Sequence, residues 1–499
     1  MTLLLSALPL LIVLVGVGAL SKPAKIVGPI SLAVALALSY WYFGMDGSTM
    51  FSSVTAGVKT ALQTSFMLCM AITVLTLLRQ TGALKTIINF LAGITDDRRI
   101  QVVMVGLGFG SFLEGVAGAG SPAAIAAPFM VSLGVDPLLA VAAALVANGL
   151  TPCFGGVGVP AMTSVLLVED VTSVTYLNVT IAIAMLLAVC CLVVPSIMLL
   201  IAFGKRALHG MKKFLLYISL IAGGTYFCIA YFAGPEMIAM GTGIVVVIAC
   251  VLYAKRFAGE TPEEFRFKKE DVQGEVSGKA ASLWRALATY AMIFVGLPTI
   301  RMFLSLDTLN RYGHTTYVGT VILGALIIGS LILGCLKELP KMIWTTFKGM
   351  LPAVITMLAM LSMAKLCQNA GMLKNISEAL THAGAVFYPV ISLLIGTLGA
   401  FATGGAYNSI VMFSRMNFEA AALLNINECY VLAAQDAGGA LGNMICPHNI
   451  ISASTTVGLM GREGAIFRKV IGAWTLLAVI VSVLLLLYTQ VLFPAFGMV

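Results

Sequence analysis

The chain has 499 residues, 60% of them hydrophobic and only 10% charged, with a formal net charge of +8. Soluble domains carry about 25% charged residues, and a water-soluble chain this apolar has too little polar surface to cover itself. The basic residues sit in loops between apolar runs, so the positive charge is not a nucleic-acid signal.

A helix needs about 20 largely apolar residues to span a bilayer. In chain order the candidate spans are Thr2–Leu20, Ile26–Phe43, Val174–Phe203, Phe214–Ala233, Met237–Ala254, Trp284–Leu306, Thr316–Leu336 and Val470–Phe493. Backbone polar groups in lipid must be satisfied within the segment, which selects helices. The runs lack the short alternating pattern of a barrel. Thr2–Leu20 has no basic residues ahead of it, so it reads as a first span and not as a cleaved signal. Ten cysteines lie mostly within apolar runs and form no Cys-x-x-Cys pair, so they read as packing thiols, with no zinc site, disulfide framework or cofactor.

Basic loops at Lys22/Lys25, Arg79/Lys85, Lys205–Lys213, Lys255–Arg285, Lys337–Lys348 and Arg462–Lys469 mark the cytoplasmic face. Both termini then fall on the outer face of a multi-pass protein of the cell's inner membrane. The two halves match at an offset of 289: Gln80–Leu84 on Asn369–Leu373, Gly110–Phe112 on Gly399–Phe401, Gly115 on Gly404 and Gly149 on Gly438. Ala61–Leu78 ends at a basic loop, whereas Met350–Leu366 leaves one, so the repeats are expected to be inverted. The predicted architecture is an all-α polytopic membrane protein with inverted structural repeats, re-entrant hairpins and discontinuous transmembrane helices. Residues 1–60 read as N-terminal scaffold helices, 61–204 as the first repeat core and 205–254 as a scaffold pair. Residues 255–284 read as a cytoplasmic linker, 285–348 as scaffold, and 349–499 as the second core with the last transmembrane helix.

Between Gly106 and Pro160 the chain is apolar but full of helix breakers, and Gly399, Thr403-Gly-Gly405, Gly438-Gly439, Gly442 and Pro447 repeat this in the second half. Unwound backbone at membrane depth is tolerated where it is buried in protein or lines a wet cavity, and paired broken helices mark the sites of secondary transporters. No Lys or Arg occurs between Arg99 and Lys205, and Arg415, within Phe413–Asn417, reads as lying at a hairpin tip. A small anion would therefore be held by helix N-termini. Ser121-Pro122 reads as a helix start. Candidate substrate-binding residues are Gly118, Gly120, Ser121, Asn148, Thr403, Gly404, Gly405, Tyr407, Asn408, Ser409, Asn443 and His448, with Asn449 a further polar candidate. Each also has a plain reading as a cap or an interhelical link.

Glu114 and Asp436 lie deep in apolar sequence, where acids are expensive and functional by default. Burial disfavours a charged carboxyl, so either could carry a coupling proton; the bland alternative is a neutral acid that staples helices. Asp136, Glu169, Asp170, Glu419 and Glu428 read as interface or loop residues. The four histidines are too scattered for an enzyme's metal cluster or nucleophile–base pair.

Glu114-Gly-Val-Ala-Gly-Ala-Gly-Ser-Pro122 resembles the Glu-Gly-Ala-Ala-Gly-Phe-Gly-Ala-Pro-type segment of the bacterial L-lactate permease family. Asn148, Pro152 and Phe154-Gly-Gly-Val-Gly-Val-Pro160 match a second family segment. Gly442-Asn-Met-Ile-Cys-Pro447 and Gly458-Leu-Met-Gly-Arg-Glu-Gly464 resemble its Gly-Lys-Met-Ile-Ser-Pro and Gly-Leu-x-Gly-Lys-Glu-Gly segments. The likeness runs over nearly the whole chain. It implies symport of a short 2-hydroxy monocarboxylate (L-lactate, D-lactate or glycolate) with protons. It also implies kinship with a wider ion-transporter superfamily whose members have inverted repeats and often move like elevators. The alternatives are a sodium-coupled or other small-carboxylate carrier on the same scaffold, or a passive channel; a homo-oligomer is compatible with the sequence. Where the family usually has Thr-Gly-Ser-Asp-Thr-Ser-Ser-Asn, this chain has Thr403-Gly-Gly-Ala-Tyr-Asn-Ser409, so an acid and several hydroxyls are missing. A family Phe is replaced by Ala119.

Overall fold

The computed structural model describes residues 2–20, 22–118, 121–168, 174–257, 259–266, 282–303, 314–380, 382, 384–460 and 462–497. Among the described residues there is no strand; an isolated β-bridge joins Asp97 and Arg266. Helix α1 (Thr2–Val13) runs into a π-helical turn and is followed by α2 (Ala24–Trp41), α3 (Gly47–Gln80) and α4 (Ala83–Ala92). Helix α5 (Arg98–Val103) continues through a π turn, Met104–Phe109, into α6 (Gly110–Ala117). Then come α7 (Ser121–Ser132), α8 (Pro137–Asn148), α9 (Gly155–Leu166), α10 (Tyr176–Cys190), α11 (Val194–Phe203), α12 (Lys212–Phe232) and α13 (Ile238–Arg256). The second half holds α14 (Leu283–Phe303), α15 (His314–Ile332), α16 (Leu339–Asn369), α17 (Met372–Leu380) and α18 (Tyr388–Thr403). It closes with α19 (Ala406–Leu423), α20 (Glu428–Ile445), α21 (Pro447–Thr456) and α22 (Glu463–Leu487).

Seven of the described helices are long and apolar enough to cross a membrane, and nine if each of two bent pairs counts as one span. The chain is an all-helical, multi-pass membrane protein. The expected span Val174–Phe203 is two helices, α10 and α11, bent by 43° at a short break. Pro195 opens the second of them, where its missing N–H leaves no helical bond unmade. Asp46, Asp97, Asp136 and Asn427 cap α3, α5, α8 and α20 by accepting backbone N–H groups that have no partner inside the helix. Hydrogen bonds from Ser48 and Thr49 hold the exposed Asp46 carboxyl below the usual carboxylate range.

Two close helix pairs anchor the molecule. The long α3 and α16, of 34 and 31 residues, pack along each other. A Cβ placed on Gly57 of α3 would strike the backbone of Ser362 on α16. Helices α18 and α20 interlock through Gly396, Gly438 and Gly442, each facing a backbone carbonyl of the partner. Lipid offers helices no hydrophobic gain from pairing, so close backbone approach and interhelical hydrogen bonds carry association. Here Ser392 Oγ donates to Val431 O (2.9 Å) and Thr397 Oγ1 to Gly438 O (3.1 Å). The two largest clusters of buried side chains are one spanning both halves and one built on α1, α2, α16, α17 and α19. Leu68 and Tyr407 pack against both.

The helix boundaries keep the 289 offset only at first. Gln80 and Asn369 end α3 and α16, and Ala83 and Met372 open α4 and α17, at that spacing. Beyond this the breaks correspond differently. Gly118 and Gly404, which close α6 and α18, lie 286 apart. The last residues of α8 and α20, Asn148 and Ile445, lie 297 apart, and the segments that follow them open at Pro152 and Pro447, 295 apart. Gly115 lies inside α6 whereas Gly404 caps α18, and Gly149 caps α8 whereas Gly438 lies inside α20, so at these pairs the 289 offset does not join equivalent positions. The segment Phe413–Asn417 is no hairpin tip either: it lies within α19, where Arg415 reaches Glu419 at i+4 (2.8 Å) and Leu167 O (3.4 Å).

Candidate functional site

Four helix breaks converge. The first follows α6, which ends at Gly118 with φ +61, and α7 starts at Ser121. The second lies between α8 and α9, which are bent by 60°. There a 3-10 turn, Pro152–Phe154, leads to three consecutive left-handed residues, Gly156, Val157 and Gly158 (φ 52, 61 and 79). The third falls at Gly404 (φ +93) and extended Gly405, between α18 and α19. The fourth is Cys446, extended between α20 and Pro447 of α21. Glycine adopts positive φ without a Cβ clash, which is why glycines carry the first three breaks; the fourth rests on Pro447, which cannot continue the preceding helix.

The breaks surround a cavity of about 670 Å³. Its wall includes Glu114, Gly118, Pro152, Gly155 and Gly156 from the first half, and Thr403, Gly404, Gly405, Tyr407, Asn408, Asn443, Cys446 and His448 from the second. Leu68, Val159, Met357, Phe401 and Ile451 give it apolar surface, and Lys22 and Lys25, before and at the start of α2, also line it. The first turns of α19 and α21 lie on the wall, so backbone N–H groups without helical partners meet there. Asn408 Nδ2 donates to Thr403 O (3.0 Å), satisfying a carbonyl at the end of α18. Asn449 Nδ2 donates to Asn443 Oδ1 (2.7 Å) and Asn443 O (2.8 Å), fixing the Asn443 amide.

Glu114 is the one acid among the described lining residues and is only 1% exposed. Asn148, itself behind the wall, is within hydrogen-bonding reach of its carboxyl. Glu114 Oε2 and Asn148 Oδ1 have no partner. A Cβ on Gly155 would strike Glu114 Oε1 and come within 3.3 Å of Gly118 Cα. The carboxyl is thus packed against the unwound start of α9.

Other candidates stand elsewhere. Asp436 is fully buried off the cavity, where its Oδ2 accepts from Ser164 Oγ of α9 at 2.8 Å and its Oδ1 has no partner. Ser409 does not line the cavity: its Oγ donates to Gly396 O (2.7 Å) and Gln435 Nε2 approaches it (3.2 Å). It is a staple between α18, α19 and α20. Tyr407 lines the cavity, while its hydroxyl is buried beside Thr64 of α3 and Thr163 of α9, out of hydrogen-bond geometry with both. Gly120, the Ser121 side chain, Ala119, Glu169 and Asp170 lie outside the described residues. Asp136 is an exposed helix cap, and Glu419 holds Arg415. Sequence reasoning missed Gly155, Gly156, Lys22 and Lys25 as lining residues. The Phe154–Pro160 glycine run signalled the first two; nothing local to the lysines signalled the others.

A family profile described as L-lactate permease matches residues 2–310 and 300–492. The L-lactate permease of Escherichia coli K12 is 26% identical over 539 residues, covering 98% of this chain and 96% of that protein. The L-lactate permease of Halalkalibacterium halodurans is 24% identical, covering 96% and 95%. The glycolate permease GlcA of Escherichia coli K12 is 23% identical, covering 98% and 96%. Among solved structures, the Alcanivorax borkumensis YdaH transporter, described as having an unusual topology, superposes with a TM-score of 0.47 at 14% identity, covering 89% of this chain and 88% of that one.

Proposed function

This chain belongs to the L-lactate permease family, and on that premise we propose that it imports a short 2-hydroxy monocarboxylate, L-lactate, D-lactate or glycolate, in symport with protons. The observation that carries the reading is the pairing, on one cavity wall, of two helix N-terminal turns with a single buried carboxyl, Glu114. Helix N-termini attract anions by about 0.3–1 kcal/mol each, more when partly buried. An ionised Glu114 would repel an arriving carboxylate across low-dielectric surroundings. Carboxylate and proton therefore bind better together than either does alone, which is the thermodynamic content of symport.

In this reading Gly118, Thr403, Gly404, Gly405, Tyr407, Asn408, Asn443 and His448 form the substrate wall, and Asn148 orients Glu114. Asp436 serves as a second, occluded proton site linked to α9 through Ser164. Residues 61–204 and 349–499 are two oppositely directed cores carried on scaffold helices in the inner membrane, with both termini outside and 255–284 a cytoplasmic linker.

The test is uptake of labelled lactate into proteoliposomes with and without an inward proton gradient, with sodium replaced by choline. The expected result is gradient-driven accumulation that is indifferent to sodium and abolished in Glu114→Gln. Accumulation that follows sodium, or full coupled activity in the glutamine variant, rejects the proposal.

A further inference from the structure

The proposed substrate wall does not account for Lys22 and Lys25. Both line the cavity, both are exposed, and neither has an ion-pair partner among the described residues. Lys25 is the second residue of α2, whose N-terminus, after Pro23, has no side-chain cap. Pro23 and Ala24 line the same wall. The 22–25 turn thus brings two exposed ammonium groups and a helix N-terminus to the edge of the cavity. Besides the lysines, the described lining residues carry one carboxyl, the buried Glu114, and one imidazole, the exposed His448. The charge is arranged in depth: cations at the exposed rim, uncharged N–H groups and one occluded carboxyl within.

We propose that Lys22 and Lys25 form an electrostatic vestibule at the cavity mouth, on the face that the basic loops mark as cytoplasmic, which concentrates the carboxylate there and sets its apparent affinity from that side. This rests on the carboxylate reading above and adds to it the residues that favour anions where the site opens to the cytoplasm. Clefts lined by one sign of charge between low-dielectric walls raise the local concentration of the opposite ion, by 10-fold or more in favourable cases. Exposed charges act over about 8–10 Å at ordinary ionic strength, and salt weakens them. The lysines lie on a connecting turn and the first turn of a helix; Lys22 donates to Gly16 O through its backbone N–H, which a substitution keeps, and neither exposed side chain makes a hydrogen bond among the described residues, so changing them leaves the packing intact. Exposed ammonium groups also suit capture followed by release, because a solvated lysine holds a carboxylate loosely.

The experiment measures KM for lactate in proteoliposomes, with the substrate supplied from each side in turn, at ionic strengths from about 10 mM to about 300 mM. Wild type, K22Q/K25Q, K22E/K25E and K22R/K25R are compared, with the melting temperature of each checked in detergent. In the wild type KM rises with salt. In K22Q/K25Q it starts about threefold or more higher and is flat. In K22E/K25E the salt effect reverses sign, so that KM falls as salt rises, and K22R/K25R restores the wild-type slope. A purely structural role for these side chains does not invert a salt dependence. The same KM and salt slope in all four proteins, from either side, overturns the vestibule while leaving carboxylate transport standing. A wild type that moves no carboxylate overturns both.

Discussion

Gly158 and Gly82 share a left-handed backbone, with φ/ψ of 79/10 and 71/0, but differ in what surrounds them. A Cβ on Gly158 would come within 2.7 Å of the Pro235 carbonyl carbon and 2.9 Å of Glu236 N, whereas one on Gly82 meets nothing within 4 Å. Left-handed strain alone costs an ordinary residue about 1–2 kcal/mol, and overpacking adds about 1–3 kcal/mol where neighbours cannot yield. Gly82→Ala is therefore expected to lose only the first amount and Gly158→Ala the sum of both, read as melting midpoints in the same detergent. Equal losses would show that the backbone at 234–236 gives way and that the crowding is without consequence. The neighbourhood matters because Gly158 closes the left-handed turn that begins at Gly156, on the cavity wall. The same contrast explains which glycines were readable from sequence. A run such as Gly155-Gly-Val-Gly announces a break. It does not announce that Gly155 must lack a side chain because Glu114 occupies its space.

Helices show where pattern suffices and where it does not. The breaks at Gly118 and Gly404 and the kink over Gly156–Gly158 were legible because glycine clusters interrupt long apolar runs, which little else explains at membrane depth. The continuity of α19 through Arg415 was not legible. A lone arginine in apolar sequence suggests a surface tip, and only the fold shows Glu419 and the Leu167 carbonyl satisfying it. Ser409 failed for a related reason: a small hydroxyl serves a helix contact as readily as a ligand, and its partners Gly396 and Gln435 are distant in sequence. Helix α20 offers a test at this scale. Asn427 caps it through the Tyr430 N–H (3.3 Å), and its Nδ2 donates to Pro494 O (3.0 Å) and Phe496 O (2.7 Å), pinning the chain's last described turn to the helix start. Losing a cap costs about 1 kcal/mol, and each lost neutral hydrogen bond about 1 kcal/mol more. Asn427→Ala should thus lower stability by about 2–3 kcal/mol. Asn427→Asp, which keeps the acceptor and loses the donors, should fall between it and wild type in a thermal melt. A full loss in the aspartate variant would assign the effect to the tail contacts alone.

For the whole molecule, the central fact is that the cavity draws its wall from both halves, at the seam where Leu68 and Tyr407 touch both side-chain clusters. The halves match in sequence at an offset of 289, but the helix ends hold that spacing only at Gln80/Asn369 and Ala83/Met372, while the segments that open at Pro152 and Pro447 lie 295 apart. Two halves meeting around one carboxyl have a thermodynamic consequence that does not depend on how they move. If the proton and the carboxylate share the site, linkage is reciprocal: each raises the affinity for the other by the same factor. The apparent affinity for lactate should then rise as pH falls. KM should change by up to about tenfold per pH unit over the range in which the shared group must first acquire its proton, and should level off at lower pH where it is already protonated. The measurement is initial uptake against lactate concentration at a series of internal and external pH values held equal, so that no gradient drives the flux. With Glu114 as the shared group, Glu114→Gln, whose amide cannot titrate, should give a KM independent of pH even if residual exchange is slow. A slope that survives in that variant moves the proton elsewhere. The fully buried Asp436, held by Ser164 on the helix whose unwound start packs against Glu114, is the next group to substitute.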